Sequence, residues 1–384
     1  MFRVLISGFY GFDNAGDEAI LQSMVTGLRK AHSDVDIVVL SADPSKTERD
    51  HGVKAVDRSN LLQIFSAVKD CDMLISGGGG LFQDVTSISS LWYYSGIIII
   101  GFLLKKPVFA YAQGIGPVKW SFDKKLLRYI INRVYKISVR DEKSRLELRN
   151  LGITREVSCT ADPAFLIDLA SKEESLEILA RESGIKETGR PKIGFTVRSR
   201  GKEPDISTIF AEVADRAFEE LGADIVFFPL HYGKDIELAE EIAGKMKHKP
   251  IIIRGSYPPS QLAGLYGVMD LNLGVRLHGL IFSLMNNVPM VAVSYDPKVD
   301  SFMDSVGVES QVLCYDKLTS DSIFEAIRER WMTREAEAGL IQGKVDKFKA
   351  LARKGMEELV SAVDELKQKK EIGRKNKGKP IAEK

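Results

Sequence analysis

Short apolar runs alternate along the chain with segments whose apolar residues recur at helical spacing. Residues 2–8 (FRVLISG) predict a buried strand. Residues 17–31 predict a helix with Ala19, Ile20, Met24, Val25 and Leu28 on one face. Residues 35–41 predict a second strand, 61–70 a helix, and 73–76 a strand that enters a glycine run. Residues 108–113 and 136–140 predict further strands with a helix between them. A charged helical stretch, 170–190, ends in ETGRP, and the alternation then restarts. Strands are predicted at 192–197, 224–229, 251–254, 271–274 and 290–293, with helices at 207–221 and 235–246. Such β-α-β alternation implies parallel sheets covered by helices on both faces.

Two successive blocks of this kind predict an α/β fold of two Rossmann-like lobes around a central cleft. The lobes are expected at 1–169 and 186–320. An amphipathic helical segment, 321–366, is expected to break near Gly343, and a basic tail, 367–384, is expected to be disordered. Attraction of that tail to anionic lipid is the competing expectation.

Composition narrows the function. The 384 residues carry 54 basic and 53 acidic side chains, a formal net charge of +1, so no global field favours nucleic acid. Any anion site must be built locally. Cys71, Cys159 and Cys314 are far apart and form no CxxC pair, and the five histidines are scattered, so neither a disulfide framework nor a metal site is expected. A reducing, cytoplasmic setting fits. The first residues read as a strand rather than a signal peptide. The apolar run 96–104 is too short to span a bilayer and reads as a buried helix.

Five polar constellations fall at predicted strand ends, where α/β sheets bind ligands. The first, 8–18 (GFYGFDNAGDE), offers glycines for close backbone approach and Asp13, Asn14 and Asp17 for sugar hydroxyls; helix capping and turn chemistry would also account for it. It lacks the GxGxxG spacing. The second, 76–84 (SGGGGLFQD), contains Gly78 and Gly79 but no P-loop lysine. The third, 111–117 (YAQGIGP), presents Gln113, or forms a structural turn. The fourth, 138–144 (SVRDEKS), presents Arg140 for a carboxylate or phosphate, or for a structural pair with Asp141 or Glu142.

The fifth joins 274–279 (GVRLHG) to 294–298 (SYDPK). Arg276, His278 and Gly279 there suggest anion binding and proton transfer, with Lys298 as a mobile cation. A packed core histidine is the plainer alternative. Arg198, Arg200 and His231 are weaker candidates. No GxSxG elbow supports a serine hydrolase.

The set GFYGFDNAGDEAIL, ISGGGGLFQD, YAQGIGP, SVRDEKS, ADPAF, VRLHGLIFSL and SYDPKV, in this order, resembles the polysaccharide pyruvyl transferases. It is most similar to the branch that modifies secondary cell wall polymers anchoring S-layer proteins. The resemblance runs from Met1 to about Gly307. It implies a GT-B-like fold with the acceptor on the N-terminal lobe and the donor on the C-terminal lobe. It implies phosphoenolpyruvate as co-substrate, no further cofactor, and a lipid-linked N-acetylmannosamine-containing saccharide as acceptor. The family's donor-site residues correspond to Arg140, His278 and Lys298. His278 is expected as the acid and Asp13 or Asp17 as the base. A nucleotide-sugar glycosyltransferase of the same fold and a non-catalytic subunit of a polymer-assembly complex remain as alternatives.

Overall fold

The computed structural model describes residues 1–84, 88–184, 189–198, 205–307 and 312–377. The chain forms two compact units. The first comprises Met1–Phe12, Ile20–Pro163 and Ala350–Lys384; the second comprises Asp13–Ala19 and Ala164–Lys349.

In the first unit the strands are β1 (Phe2–Ser7), β2 (Val35–Ser41), β3 (Lys54–Asp57), β4 (Met73–Ser76), β5 (Gly79–Phe82), β6 (Val108–Ile115), β7 (Lys136–Val139) and β8 (Ser158–Cys159). They pair in parallel in the order β3-β2-β1-β4-β6-β7-β8, with β5 also on β6. Helices α1 (Ala15–Ala31), α2 (Pro44–His51), α3 (Leu61–Asp70), α4 (Ile88–Leu103), α5 (Ser121–Ile131) and α6 (Glu142–Asn150) fill the crossovers. One helical layer packs Ile64, Leu91, Ile98, Leu127, Ile130 and Leu148 onto Leu5, Leu74, Ala110 and Ile137 of the sheet. Burying each such Leu or Ile contributes about 1.5–3 kcal/mol.

The second unit repeats the design. Its strands β9 (Lys192–Thr196), β10 (Asp224–Phe227), β11 (Ile251–Ile252), β12 (Leu271–Gly274), β13 (Met290–Ser294) and β14 (Val312–Cys314) run in parallel in the order β11-β10-β9-β12-β13-β14. Its helices are α7 (Lys172–Ser183), α8 (Ile206–Leu221), α9 (Lys234–Lys245), α10 (Pro259–Leu265), α11 (Leu277–Met285) and α12 (Pro297–Val306); α13 (Ser320–Lys377) begins here. Phe195, Phe210, Phe227, Leu273 and Ile327 centre its core. The fold is therefore α/β with two Rossmann-like units, the class the alternation predicts.

Three expectations are corrected. The units are not contiguous in sequence. Residues 13–15 pair with 230–232 through Ala15 N–H to Leu230 O (2.8 Å) and Tyr232 N–H to Asp13 O (3.0 Å), which ties the start of α1 to the second unit. Helix α13 does not break near Gly343. Gly339 and Gly343 lie on its exposed side, while Ile341, Val345 and Phe348 hold the buried side. A glycine in a helix interior costs only about 1 kcal/mol. The helix also continues through residues 367–377 of the expected disordered tail. Lys367 pairs with Asp34 (2.7 Å) and Lys370 with Asp72 (2.6 Å), and the rest of that tail, 378–384, lies outside the described residues. Among the described residues no helix is long and apolar enough to cross a membrane.

Candidate active site

The second unit gathers the sharper constellation. Asp13 adopts φ 57°, in the left-handed region that a short polar side chain tolerates. The chain then turns into α1, where the Asn14 side-chain oxygen accepts from Gly16 N–H (3.2 Å). Asn14 thus serves as a helix cap. Asp17 and Glu18 fall in the first turn, complementing the helix dipole.

Gly16 is buried, and its missing side chain matters. A Cβ there would lie 1.8 Å from Nδ1 of His278, so the imidazole rests directly on the backbone of this segment. His278 sits in the first turn of α11, immediately beyond β12. The structure therefore joins the expected acid to the segment carrying the expected bases, although the two are some 260 positions apart in sequence.

Asp235 organises the surroundings. It is 1% exposed and accepts from the backbone N–H groups of Leu230 (3.1 Å) and His231 (2.9 Å). It also accepts two hydrogen bonds from the Arg276 guanidinium. This bidentate pair fixes Arg276 between β12 and α11, so the arginine expected as an anion ligand is engaged within the fold. His231, which the sequence placed no better than as a wall or surface residue, lies on the strand-like bridge opposite Asn14. Burial, and then the charges of Glu182, Tyr257 and Asp13, push the Tyr232 phenol above its ordinary range; its hydroxyl donates to Arg254 O (2.9 Å).

Gly279 serves packing. A Cβ on it would meet Thr196 Oγ1 at 2.7 Å, and Thr196 shares a hydrogen bond with Tyr266 (2.7 Å). Lys298 lies in the first turn of α12, with Asp296 as helix cap. Its Nζ is 3.5 Å from Asp296 Oδ2 and the side chain is 27% exposed. Arg198 stacks on Tyr295, and Arg200 lies outside the described residues.

The first unit holds the other candidates. Gln113, the last residue of the predicted strand 108–113, lies inside a β6 that continues to Ile115, and it is wholly buried. Its amide nitrogen is shared among the carbonyls of Ser76 (2.9 Å), Gly77 (2.6 Å) and Tyr111 (3.2 Å). The preceding Ala112 has φ 47°, and the register of β6 shifts against β7 there. A bulge of this kind re-aims the side chains that follow it. Gly78 packs against Ile20 and Ala112, whereas Gly79, at φ 106°, starts β5. Arg140 lies over Gly114, where a Cβ would come 2.9 Å from its guanidinium. Its Nη1 donates to Asp162 (2.9 Å), while Asp141 is 3.7 Å from its Nε. Asp235 was not singled out in the sequence, and Asp162 entered only within the ADPAF motif. The available signals were an acid just after a short strand and an acid in a first helical turn.

The family model for polysaccharide pyruvyl transferase matches residues 14–297. The chain is 22% identical to the amylovoran biosynthesis protein AmsJ of Erwinia amylovora, over 85% of this chain and 91% of the relative. Among solved structures it is similar to a complex of S. aureus MnaA with UDP (TM-score 0.64, 12% identity, 94% of this chain and 95% of the other). It is equally similar to HepE of Anabaena with UDP-glucose (TM-score 0.64, 12% identity, 94% and 100%). These two likenesses bear on the fold alone. The family match covers most of the chain and begins within the segment on which His278 rests, and on that basis the chain belongs to the polysaccharide pyruvyl transferase family.

Proposed function

We propose that the chain moves the pyruvyl group of phosphoenolpyruvate onto an N-acetylmannosamine residue of a lipid-linked polysaccharide precursor, forming a 4,6-pyruvate ketal and releasing phosphate. The observation that carries this reading is the seating of the His278 imidazole on Gly16, in the segment that bears Asp13 and Asp17. The proposed acid and the proposed bases then lie in one compact unit, which suits proton transfer to and from the same reacting groups. Membership of the family supports pyruvyl transfer in polysaccharide biosynthesis. The donor and acceptor named here extend that reading through the chemistry of the side chains.

His278 donates a proton to the vinyl methylene, turning it into a methyl group and leaving an oxocarbenium-like carbon. A sugar hydroxyl attacks that carbon while Asp13 or Asp17 takes its proton. The C–O bond to phosphate breaks, and the second hydroxyl closes the ketal. Of the two hydroxyl protons, one replaces the proton lost from His278 and the other leaves with phosphate. Lys298 is more accessible than Arg140 or Arg276 and suits the departing phosphate. Arg140, oriented by Asp162, is the first unit's group for an anionic ligand.

The test is phosphate release from phosphoenolpyruvate with and without an N-acetylmannosamine-terminated acceptor, followed by mass analysis of the acceptor. Acceptor-dependent release with a pyruvate-sized mass gain supports the reading. Transfer from a nucleotide sugar, without phosphate release, overturns it.

A further inference from the structure

Helices α3, α4 and α5 are neighbours on one face of the first sheet, and each follows a parallel strand. Their amino ends therefore share the carboxyl edge of that sheet. Large apolar side chains crowd this edge without being buried. Leu62 is 84% exposed at the start of α3, Trp92 47% in the first turns of α4, and Trp120 and Phe122 62% and 60% at the start of α5. Trp92 stacks on Phe122 with ring centroids 5.0 Å apart, and the Tyr93 hydroxyl donates to Arg58 O (2.8 Å) just before α3.

The charge along the stretch that leads into α5 is one-sided. Between Leu103 and Tyr135 the only acid in the sequence is Asp123, which is 3% exposed. Burial, and then the charge of Asp84, push its carboxyl upward. Lys119, Lys124, Lys125 and Arg128 are exposed in the same stretch. In a chain of net charge +1 this is a strong local asymmetry. Exposed Trp, Phe and Leu beside lysines match the requirements of an interfacial membrane contact. Aromatic rings sit at headgroup depth, aliphatic tips enter the acyl boundary, and lysines meet anionic headgroups. A protein partner would be expected to bring acidic residues of its own.

We infer that the amino ends of α3, α4 and α5 form a docking surface for an anionic lipid bilayer, which turns the carboxyl edge of the first sheet toward the membrane. The surface does not depend on the donor or acceptor proposed above. It also differs from the tail expected in the sequence as the lipid contact, since Lys367 and Lys370 of that tail are paired within the fold.

The test is binding of the full chain to phosphatidylglycerol-containing vesicles and to pure phosphatidylcholine vesicles, read by co-sedimentation and by quenching of tryptophan emission with brominated lipid. Trp331 lies in the core of the second unit, so quenching reports on Trp92 and Trp120. Binding should require the anionic lipid and should quench. Trp120→Ser with Phe122→Ser, and separately Lys124→Glu with Lys125→Glu, should each weaken binding by about tenfold or more while circular dichroism is unchanged. Neutralising Lys375, Lys377 and Lys379 should leave binding near the wild-type level. The inference is overturned if the wild type does not bind, if it binds unquenched, if both surface variants bind normally, or if the tail variant alone abolishes binding. It is equally overturned if Trp120→Ser with Phe122→Ser splits a dimer of a chain that ignores vesicles, since a second copy would then cover the patch.

Discussion

Each unit seats a candidate side chain against a glycine, Arg140 against Gly114 in the first and His278 against Gly16 in the second, yet the two are held differently. Around Arg140 nearly everything is buried: the guanidinium is tied to Asp162, and Gln113 holds the carbonyls of Ser76 and Gly77. That region is a backbone framework with side chains as its braces. Around His278 the braces lie beneath the site instead. Asp235 grips Arg276 and the 230–231 turn, which leaves His278, Asp13, Asp17 and Lys298 only partly buried. The contrast teaches that similar glycine-rich strand ends can be built as a buried, rigid framework in one unit and as a braced, partly exposed cluster in the other.

The largest expected effect comes from removing the brace in the second unit. Asp235→Ala leaves the Arg276 charge nearly buried and without that carboxylate, and should cost about 3–5 kcal/mol in urea unfolding. A cost below about 1 kcal/mol would erase the distinction between brace and site. Gly16→Ala comes next. Its Cβ must displace the imidazole, and a shift of about 1 Å can cost about 100-fold in turnover. Its melting temperature should change little beside that of Asp235→Ala. Gly114→Ala makes a milder clash with Arg140, so steady-state kinetics should show a loss of about tenfold, as for about 1.4 kcal/mol of misplaced binding. Smallest is Lys298→Ala: the donor KM should rise by about tenfold, with unfolding unchanged to within about 0.5 kcal/mol. If Gly114→Ala proved more damaging to turnover than Gly16→Ala, the chemistry would belong to the first unit.

Much of this was legible in the sequence, for identifiable reasons. Buried parallel strands such as Val35–Ser41 and Val108–Ile115 are continuous apolar runs, which period and length reveal. Strand β5 was not legible because Gly79 and Gly80 carry no hydrophobic signal, and edge strand β3 because it is half polar. The break expected in α13 failed because Gly343 sits on a solvent face, where packing of the opposite side decides. Among the candidate residues of the two units, Arg140, Arg276, His278 and the 13–17 segment stood out through their strand-end positions. Their pairing with Asp162, which the sequence showed only as part of ADPAF, and with Asp235 did not, because an ion pair 22 or 41 residues apart leaves no local spacing to read. The attachment of residues 13–15 to the second unit was hidden for the same reason: backbone bonds to Leu230 and Tyr232 have no side-chain signature.

The most direct test of the account is His278→Gln, assayed with phosphoenolpyruvate and acceptor beside the wild type in deuterated water, with kinetics and product mass read together. The account predicts that the wild-type ketal carries deuterium in its methyl group. It also predicts that the variant loses about 10²–10⁴-fold in kcat with a donor KM within a few-fold of normal. Near-normal kcat with only a raised donor KM would contradict it, and would make His278 a binding residue rather than the acid.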